Sequence, residues 1–497
     1  MNSEYSKYYD ANYAENGIHR VPLWRIAGFA LNNLATNCYM FVMMYVAYYL
    51  TGFVGVGVVL AGSFSTIMRV WDGITDPICG LLVDKTNGRW GKNRPFMLLG
   101  NLILLVCSYI LFHVTHKLPE GTIRVVFFTV VSLIYYIGYT FQCIVTKSAQ
   151  SCLTNDPKQR PLFSVFDSLF SMGMYVGFGM WIPKLAAKYG TMVSTDLYHD
   201  LWLVAALISL VSTIIAIFSI APKDRSEFFG TGEETPRVTL KDYWDTFKNN
   251  KAIQMLVLAA STDKLANSAK VGAVTVVMFA IVAGNYNISS TMSGITGILG
   301  LVIGVIFIVA IAPKFGQKKA MVVGSVGGLI INAILALLWI FGNPASMNGG
   351  DAGVHWGYFA ILYVVLTLLS SGFLALSGQL VIPMTADCAD YEVYRTGKYV
   401  PGMMGTLFSF VDKLISSLAP LIASLLFAMI GFKESMPDVN TAYTPALHGV
   451  GVFLTYGLVI IGLICNLIAM KYYPLDKEMM EEIREKIHDI KMGKTNN

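Results

Sequence analysis

The chain has 497 residues, of which 55% are hydrophobic and 13% charged, and its mean hydropathy is positive. That balance excludes an ordinary soluble globular protein and points to a membrane protein. The net charge of +5 is small for the length, and no nucleic-acid partner is expected.

The first twenty residues, ending AENGIHR, are polar and lack the short apolar core and small-residue cleavage site of a secretory signal. Insertion is therefore expected to begin with the first span. Twelve apolar runs follow, near 24–50, 57–83, 95–115, 122–148, 161–187, 200–221, 252–283, 290–312, 320–342, 356–385, 402–431 and 446–470. Each is long enough for a hydrocarbon core of about 30 Å. Lysine and arginine gather in alternate connections: Lys85, Arg89, Lys92 and Arg94; Lys158 and Arg160; Lys314, Lys318 and Lys319; Arg395 and Lys398. Short connections rich in these residues stay in the cytoplasm, so both termini are expected there.

The longest polar stretch between spans, 222–251, divides them six and six. The expected organisation is a six-helix bundle over 1–221, a central cytoplasmic loop over 222–251, a second bundle over 252–471 and a tail over 472–497. The fold class is all-α integral membrane, twelve transmembrane helices in two six-helix bundles. GKNRPFMLLG at the third span is echoed by GQKKAMVVG at the ninth, the same place in the second half. Parallel six-span repeats build one large transporter fold, with substrate held at the midplane between the halves. In the tail, Leu475, Met479, Ile483, Ile487 and Ile490 recur every three or four residues, which predicts an amphipathic helix. It would lie along the membrane surface or on its own bundle; a partner-binding helix is the alternative.

Charges inside spans are costly and usually face a cavity or one another. The second span has Arg69, Asp72 and Asp76, the fourth Lys147, the fifth Asp167, the seventh Asp263, Lys264 and Lys270, and the eleventh Asp412 and Lys413. At about 100° per residue, Arg69, Asp72 and Asp76 fall within roughly 60° of one helix face. Two carboxylates one turn apart can hold a small cation or share a proton, and Arg69 can balance their charge when the cation leaves. The plainer alternative is that these charges knit helices together.

RVWDGITDPICGLLVDKTNGRWGKNRPFMLLG resembles the second-span signature of the glycoside–pentoside–hexuronide:cation symporters, the melibiose-permease group of the major facilitator superfamily. ADCADYEVYRTGKYVPGMMGTLFSFVDKLISSLAP resembles the same family's tenth loop and eleventh span, and YPLDKEMMEEI its tail. The resemblance implies that Asp72 and Asp76 bind the cation, with the Thr140 hydroxyl beside it and Lys413 approaching from the other half. A lysine that neutralises the acids lets the empty carrier change shape without a buried net charge.

The chain also departs from that pattern. Phe29 stands where the family has an early first-span aspartate, and Cys143 where the melibiose permeases place a fourth-span acid. Lys147 and Asp167 fall at positions that are aromatic and basic in the family, so they are expected to pair across the cavity unless the alignment slips by a few residues. Two acids and a hydroxyl offer a bare ion few hard oxygens, which favours a proton and leaves sodium open. Sugar sites combine aromatic faces with polar groups, and Tyr139, Gln142, Gln150, Trp181 and Trp356 are candidates; tryptophans near span ends also serve as interfacial anchors. Asp263, Asn267 and Lys270 share a face that either lines the cavity or satisfies itself. The expected substrate-reading set is Tyr139, Gln142, Lys147, Asp167, Asp263, Lys270 and Asp412. Asp84, Arg89 and Arg94 are expected to hold the cytoplasmic side shut with Asp390 and Arg395; retaining the loop in the cytoplasm is a simpler role for the basic ones.

The seven cysteines have no metal-type spacing, and no structural metal or cofactor is expected besides the coupling cation. A membrane enzyme is disfavoured, since the histidines lie in loops or at span ends and no nucleotide loop or HExxH motif occurs. The expected function is cation-coupled symport of a sugar, glycoside or hexuronide by alternating access, in a monomer surrounded by membrane lipid. A lipid carrier or an uncoupled facilitator of the same fold is the rival.

Overall fold

The computed structural model describes residues 19–86, 88–154, 159–225, 247–350, 353–396, 411–476, 478–483 and 486. Among these residues regular structure is helical, apart from the isolated bridges Gly88–Gly91 and Asn348–Val354. Nine helices are long and apolar enough to cross a membrane, or eleven if each of two bent pairs is one span. Val58–Lys85 adds another of 28 residues. It is about 42 Å long at 1.5 Å per residue, and Arg69, Asp72 and Asp76 are what lower its apolarity. With it, each expected span has its helix.

The described residues cluster into two compact units: those of Met1–Gly57, Ile67–Trp181 and Lys188–Thr235, and those of Val58–Thr66, Ile182–Ala187 and Pro236–Asn497. The helices of the first half are α1 (Leu23–Met43 with Val46–Val54), α2 (Val58–Lys85), α3 (Arg94–His113), α4 (Thr122–Ser148), α5 (Arg160–Tyr189) and α6 (Thr195–Ile220). Those of the second are α7 (Lys251–Ala269 with Ala273–Val282), α8 (Asn287–Phe315), α9 (Gln317–Phe341), α10 (Tyr358–Gln379, continued by Val381–Thr396), α11 (Val411–Met429) and α12 (Pro445–Tyr472).

Within the first unit α1 packs on α6, and α3 on α4 and α6; within the second α7 packs on α12, and α9 on α10 and α12. First with sixth, third with fourth and third with sixth is the same scheme twice. The opening helix of each half is also broken at a matching place. α1 bends by 41° after Met43, and α7 by 54° after Ala269. In α7 the break is made by Gly272 at φ 67°, and the Thr275 hydroxyl donates to the freed Lys270 carbonyl at 2.9 Å.

The motif echo has a physical basis. Gly91 and Gly316, which open the two motifs, have φ of 86° and 76°, a region that L side chains avoid. The closing glycines lie at helix crossings: a Cβ on Gly100 would stand 2.9 Å from the Gly138 carbonyl of α4, and one on Gly324 2.7 Å from the Phe373 carbonyl of α10. Small residues at such crossings let backbones approach within a membrane. A Cβ on Gly91 would also fall 2.3 Å from both the carbonyl and a carboxylate oxygen of Asp224. Gly91→Ala is therefore expected to cost about 1–2 kcal/mol from handedness alone, and more from the collision, read as a lower melting temperature in detergent.

Two span boundaries differ from those expected. α6 begins at Thr195, not near residue 200, because the Ser194 hydroxyl accepts from the Leu197 amide and caps the helix. The expected tenth loop is helical as far as Thr396. Of the tail, Leu475, Met480 and Ile483 are buried in the core formed by α7, α9, α10 and α12, so this part lies on its own bundle. Ile487 and Ile490 fall outside the described residues.

Candidate functional site

The charged face of α2 meets α4 inside the first unit. Trp71 Nε1 donates to the Leu133 carbonyl at 3.0 Å and fixes the register of the two helices. In that register the Thr140 hydroxyl donates to Asp72 Oδ1 at 2.7 Å. Arg69 Nη1 lies 3.6 Å from Asp72 Oδ2 and donates to the Tyr139 hydroxyl at 3.3 Å. Its guanidinium carbon is 5.3 Å from the centre of the Tyr139 ring. Asp72 is fully buried, and Asp76 is half-buried one turn along the same face.

Thr75 joins this group without having been expected. Its hydroxyl is 3.1 Å from the Asp72 carbonyl and 3.3 Å from Thr140 Oγ1. Spacing alone could have found it, since it follows Asp72 by three residues, between the two acids. The result is a buried carboxylate bonded by the Thr140 hydroxyl, with the Thr75 hydroxyl next to Thr140 and one guanidinium beside the acid. Hard oxygens of this kind suit a proton or a small hard cation, not a soft metal. Arg69 beside the carboxylate offsets the cost of an unpaired buried charge.

The remaining expected residues divide. Gln142 is fully buried, and its Nε2 donates to the Met97 carbonyl at 2.7 Å, which ties α4 to α3. Asp167 accepts from Asn33 Nδ2 at 2.6 Å, and Lys147 is exposed. No ion pair joins them among the described residues, so the expected Lys147–Asp167 pairing is replaced by an α1–α5 link. Phe29 packs edge-on against Phe163 at 6.0 Å in the core, a place where an acid would be unpaired. Trp24 and Trp356 are exposed, as interfacial anchors are.

In the second unit Asp263 accepts from Asn466 Nδ2 of α12 at 3.1 Å, and Asn267 donates to the Asp263 carbonyl at 3.0 Å. Lys270 sits at the α7 break, directly after Ala269. The carboxylate of Asp263 is thus bonded from outside the trio, by α12. Asp412 is ion-paired with Lys264. Lys413 follows it, half-buried, its carbonyl accepting from the Ser417 amide at 3.1 Å.

The expected gate residues are placed as follows. Arg395 pairs with Glu392 at 2.7 Å within its own helix, and Glu392 also accepts from Asn250 at 2.9 Å, tying α10 to the start of α7. Asp390 is half-buried on α10, Arg89 is exposed in the turn before α3, and the side chain of Asp84 lies outside the described residues. The acid at the N-terminus of α3 is Asp224, just after α6. Its carboxylate accepts from the backbone amides of Lys92, Asn93 and Arg94 at 3.2, 3.0 and 2.9 Å and from Asn93 Nδ2 at 2.9 Å. Arg94 Nε is 3.4 Å away. An anion at a helix N-terminus satisfies open amides and meets the positive end of the dipole.

This buried, oxygen-lined charge group within a many-helix membrane bundle invites comparison with known carriers. The family described as MFS/sugar transport protein matches residues 28–477. The chain belongs to that family. Its members are transporters, and so this is a multi-pass membrane transporter and not an enzyme. It is 23% identical over 476 residues to the glucuronide carrier protein homolog of Escherichia coli (strain K12), covering 94% of this chain and 96% of that one. It is 23% identical over 485 residues to the isoprimeverose transporter of Lactiplantibacillus pentosus, covering 94% and 93%. Among solved structures, the nucleoside transporter NupG superposes with a TM-score of 0.60 at 12% identity, covering 91% of this chain and all of the other, which shows the shared fold.

Proposed function

We propose that the protein is a cation-coupled symporter of a sugar or glycoside, working by alternating access. Asp72, Asp76 and Thr140 take the cation, with Thr75 as a further oxygen; Arg69 and Lys413 balance the charge when it is absent. The observation that carries this is the wholly buried Asp72 carboxylate, bonded to Thr140 and faced by Arg69 inside a span. A buried acid is costly in a membrane and is kept where an ion or proton must be held. The names of the two relatives, a glucuronide carrier homolog and an isoprimeverose transporter, support a sugar or glycoside as cargo. The basic connections support a cytoplasmic position for both termini.

The test is external pH in energy-starved cells expressing the protein, recorded as a panel of glycosides is added with and without sodium. Alkalinisation by one glycoside, independent of sodium, shows proton symport. Uptake that rises with sodium and leaves the pH unmoved shows a sodium site. Uptake indifferent to both cations overturns the proposal in favour of a facilitator. Thr140→Val separates the two ions further. A hydrogen bond to a charged group contributes about 1.5–3 kcal/mol, so under sodium coupling the half-saturating sodium concentration should rise about tenfold or more. Under proton coupling the pH dependence of uptake should shift and sodium should remain without effect.

A further inference from the structure

The α3–α6 seam of the first unit carries polar cross-links at three levels, in antiparallel register. Asn101 Nδ2 donates to Ser209 at 2.6 Å, Trp202 Nε1 to Ser108 at 3.0 Å, and at the end away from Asp224 the ring nitrogens His113 Nε2 and His199 Nδ1 stand 2.8 Å apart. The first two are helix cement. The third is different, because it brings together two imidazoles at an accessible end of the bundle, where His199 is exposed.

The tautomers follow from chemistry. His113 Nδ1 is 3.2 Å from the Tyr109 carbonyl, which can only accept, so Nδ1 carries the proton and Nε2 presents its lone pair to His199. The ring is also held in place: Tyr109 stacks on it at 4.6 Å and 13°, and Trp202 meets it edge-on at 5.0 Å. A histidine whose far nitrogen donates to a backbone carbonyl and whose near nitrogen is aimed at a second imidazole has the surroundings of a metal ligand.

We propose that His113 Nε2 and His199 Nδ1 form a binding site for a borderline divalent transition ion, of the class of zinc, nickel or copper. Imidazole nitrogens suit these ions. With metal–nitrogen bonds of about 2.1 Å the two nitrogens need a separation of about 3.2 Å, a small opening from the present contact. His199 moves its proton from Nδ1 to Nε2 as the ion enters, so the ion replaces the shared hydrogen without displacing His113. Among the described residues no set of three metal-binding side chains assembles, so water completes the coordination and the ion exchanges readily. Bound, it staples the C-terminus of α3 to the first turns of α6. This site does not depend on the transport reading.

The experiment is a titration of untagged, purified full-length protein in detergent with Ni²⁺, following tryptophan fluorescence and, separately, bound nickel by equilibrium dialysis. Saturable quenching with one equivalent bound is expected for the wild type. In His199→Ala both signals should weaken by about tenfold or more, by analogy with the loss seen when a ligand's support is removed. His116→Ala should keep both signals. Absence of binding in the wild type, or equal binding by His199→Ala, overturns the site. Since His199 is exposed, a wild-type melting temperature for its alanine variant shows that lost binding is not lost folding.

Discussion

Asp72→Asn is expected to abolish cation-driven accumulation while leaving exchange of substrate between the two sides intact. The substitution keeps the size of the side chain and an oxygen for the Thr140 hydroxyl, and removes the charge that a cation or proton neutralises in the proposed mechanism. One coupled charge moving through 100 mV supplies about 2.3 kcal/mol, which is about 50-fold accumulation of a neutral cargo. In proteoliposomes with an imposed potential and cation gradient, that ratio should fall to about one in the variant, for whichever labelled glycoside the wild type accumulates. Counterflow needs no coupling and should persist. The same change leaves Arg69 facing a neutral group in a largely buried place, an arrangement that lowers stability by itself. Arg69→Gln added to Asp72→Asn should recover melting temperature but not accumulation, which separates the two losses. Accumulation by Asp72→Asn at the wild-type ratio would sink the assignment of the cation to this acid.

The α2 charges were readable because one helix carries them all: spacing along a helix determines which residues share a face. Their grouping with Thr140 was readable only through the family resemblance, since the contact joins residues 68 positions apart. Where expectation failed, the reason was an unseen partner from another helix. Asp167 looks like a partner for Lys147, yet Asn33 on α1 reaches it. The end of α10 reads as a loop by polarity; the Glu392–Arg395 pair at i and i+3 and the bond from Asn250 let that polar stretch remain helical. Asp84 was a reasonable choice for the N-terminus of α3, because it is the nearest acid in the chain. Asp224, 130 residues beyond Arg94, occupies that place, and only the packing of α6 on α3 reveals it.

That contact leads to the largest expected stability effect. Asp224→Ala removes a fully buried anion and leaves the amides of Lys92, Asn93 and Arg94, with the Asn93 side chain, facing nothing that accepts. Each orphaned buried donor costs about 1–3 kcal/mol, and breaking a buried charged group from its partners typically costs about 3–5 kcal/mol in all. Asp224→Asn keeps one acceptor oxygen and loses the charge, so its loss should be smaller. Arg94→Gln should be milder still, because the guanidinium contact at 3.4 Å is the longest of the set and the backbone amides keep holding the carboxylate. Melting of the three purified variants in one detergent should give the order Asp224→Ala, Asp224→Asn, Arg94→Gln, from least to most stable. The order is the informative result: if Arg94→Gln were as damaging as Asp224→Ala, the carboxylate would be acting mainly as a salt-bridge partner and not as the cap of α3. With the cap as its main role, Asp224 locks the end of α6 to the start of α3, and Gly91 is the residue that leaves it room to do so.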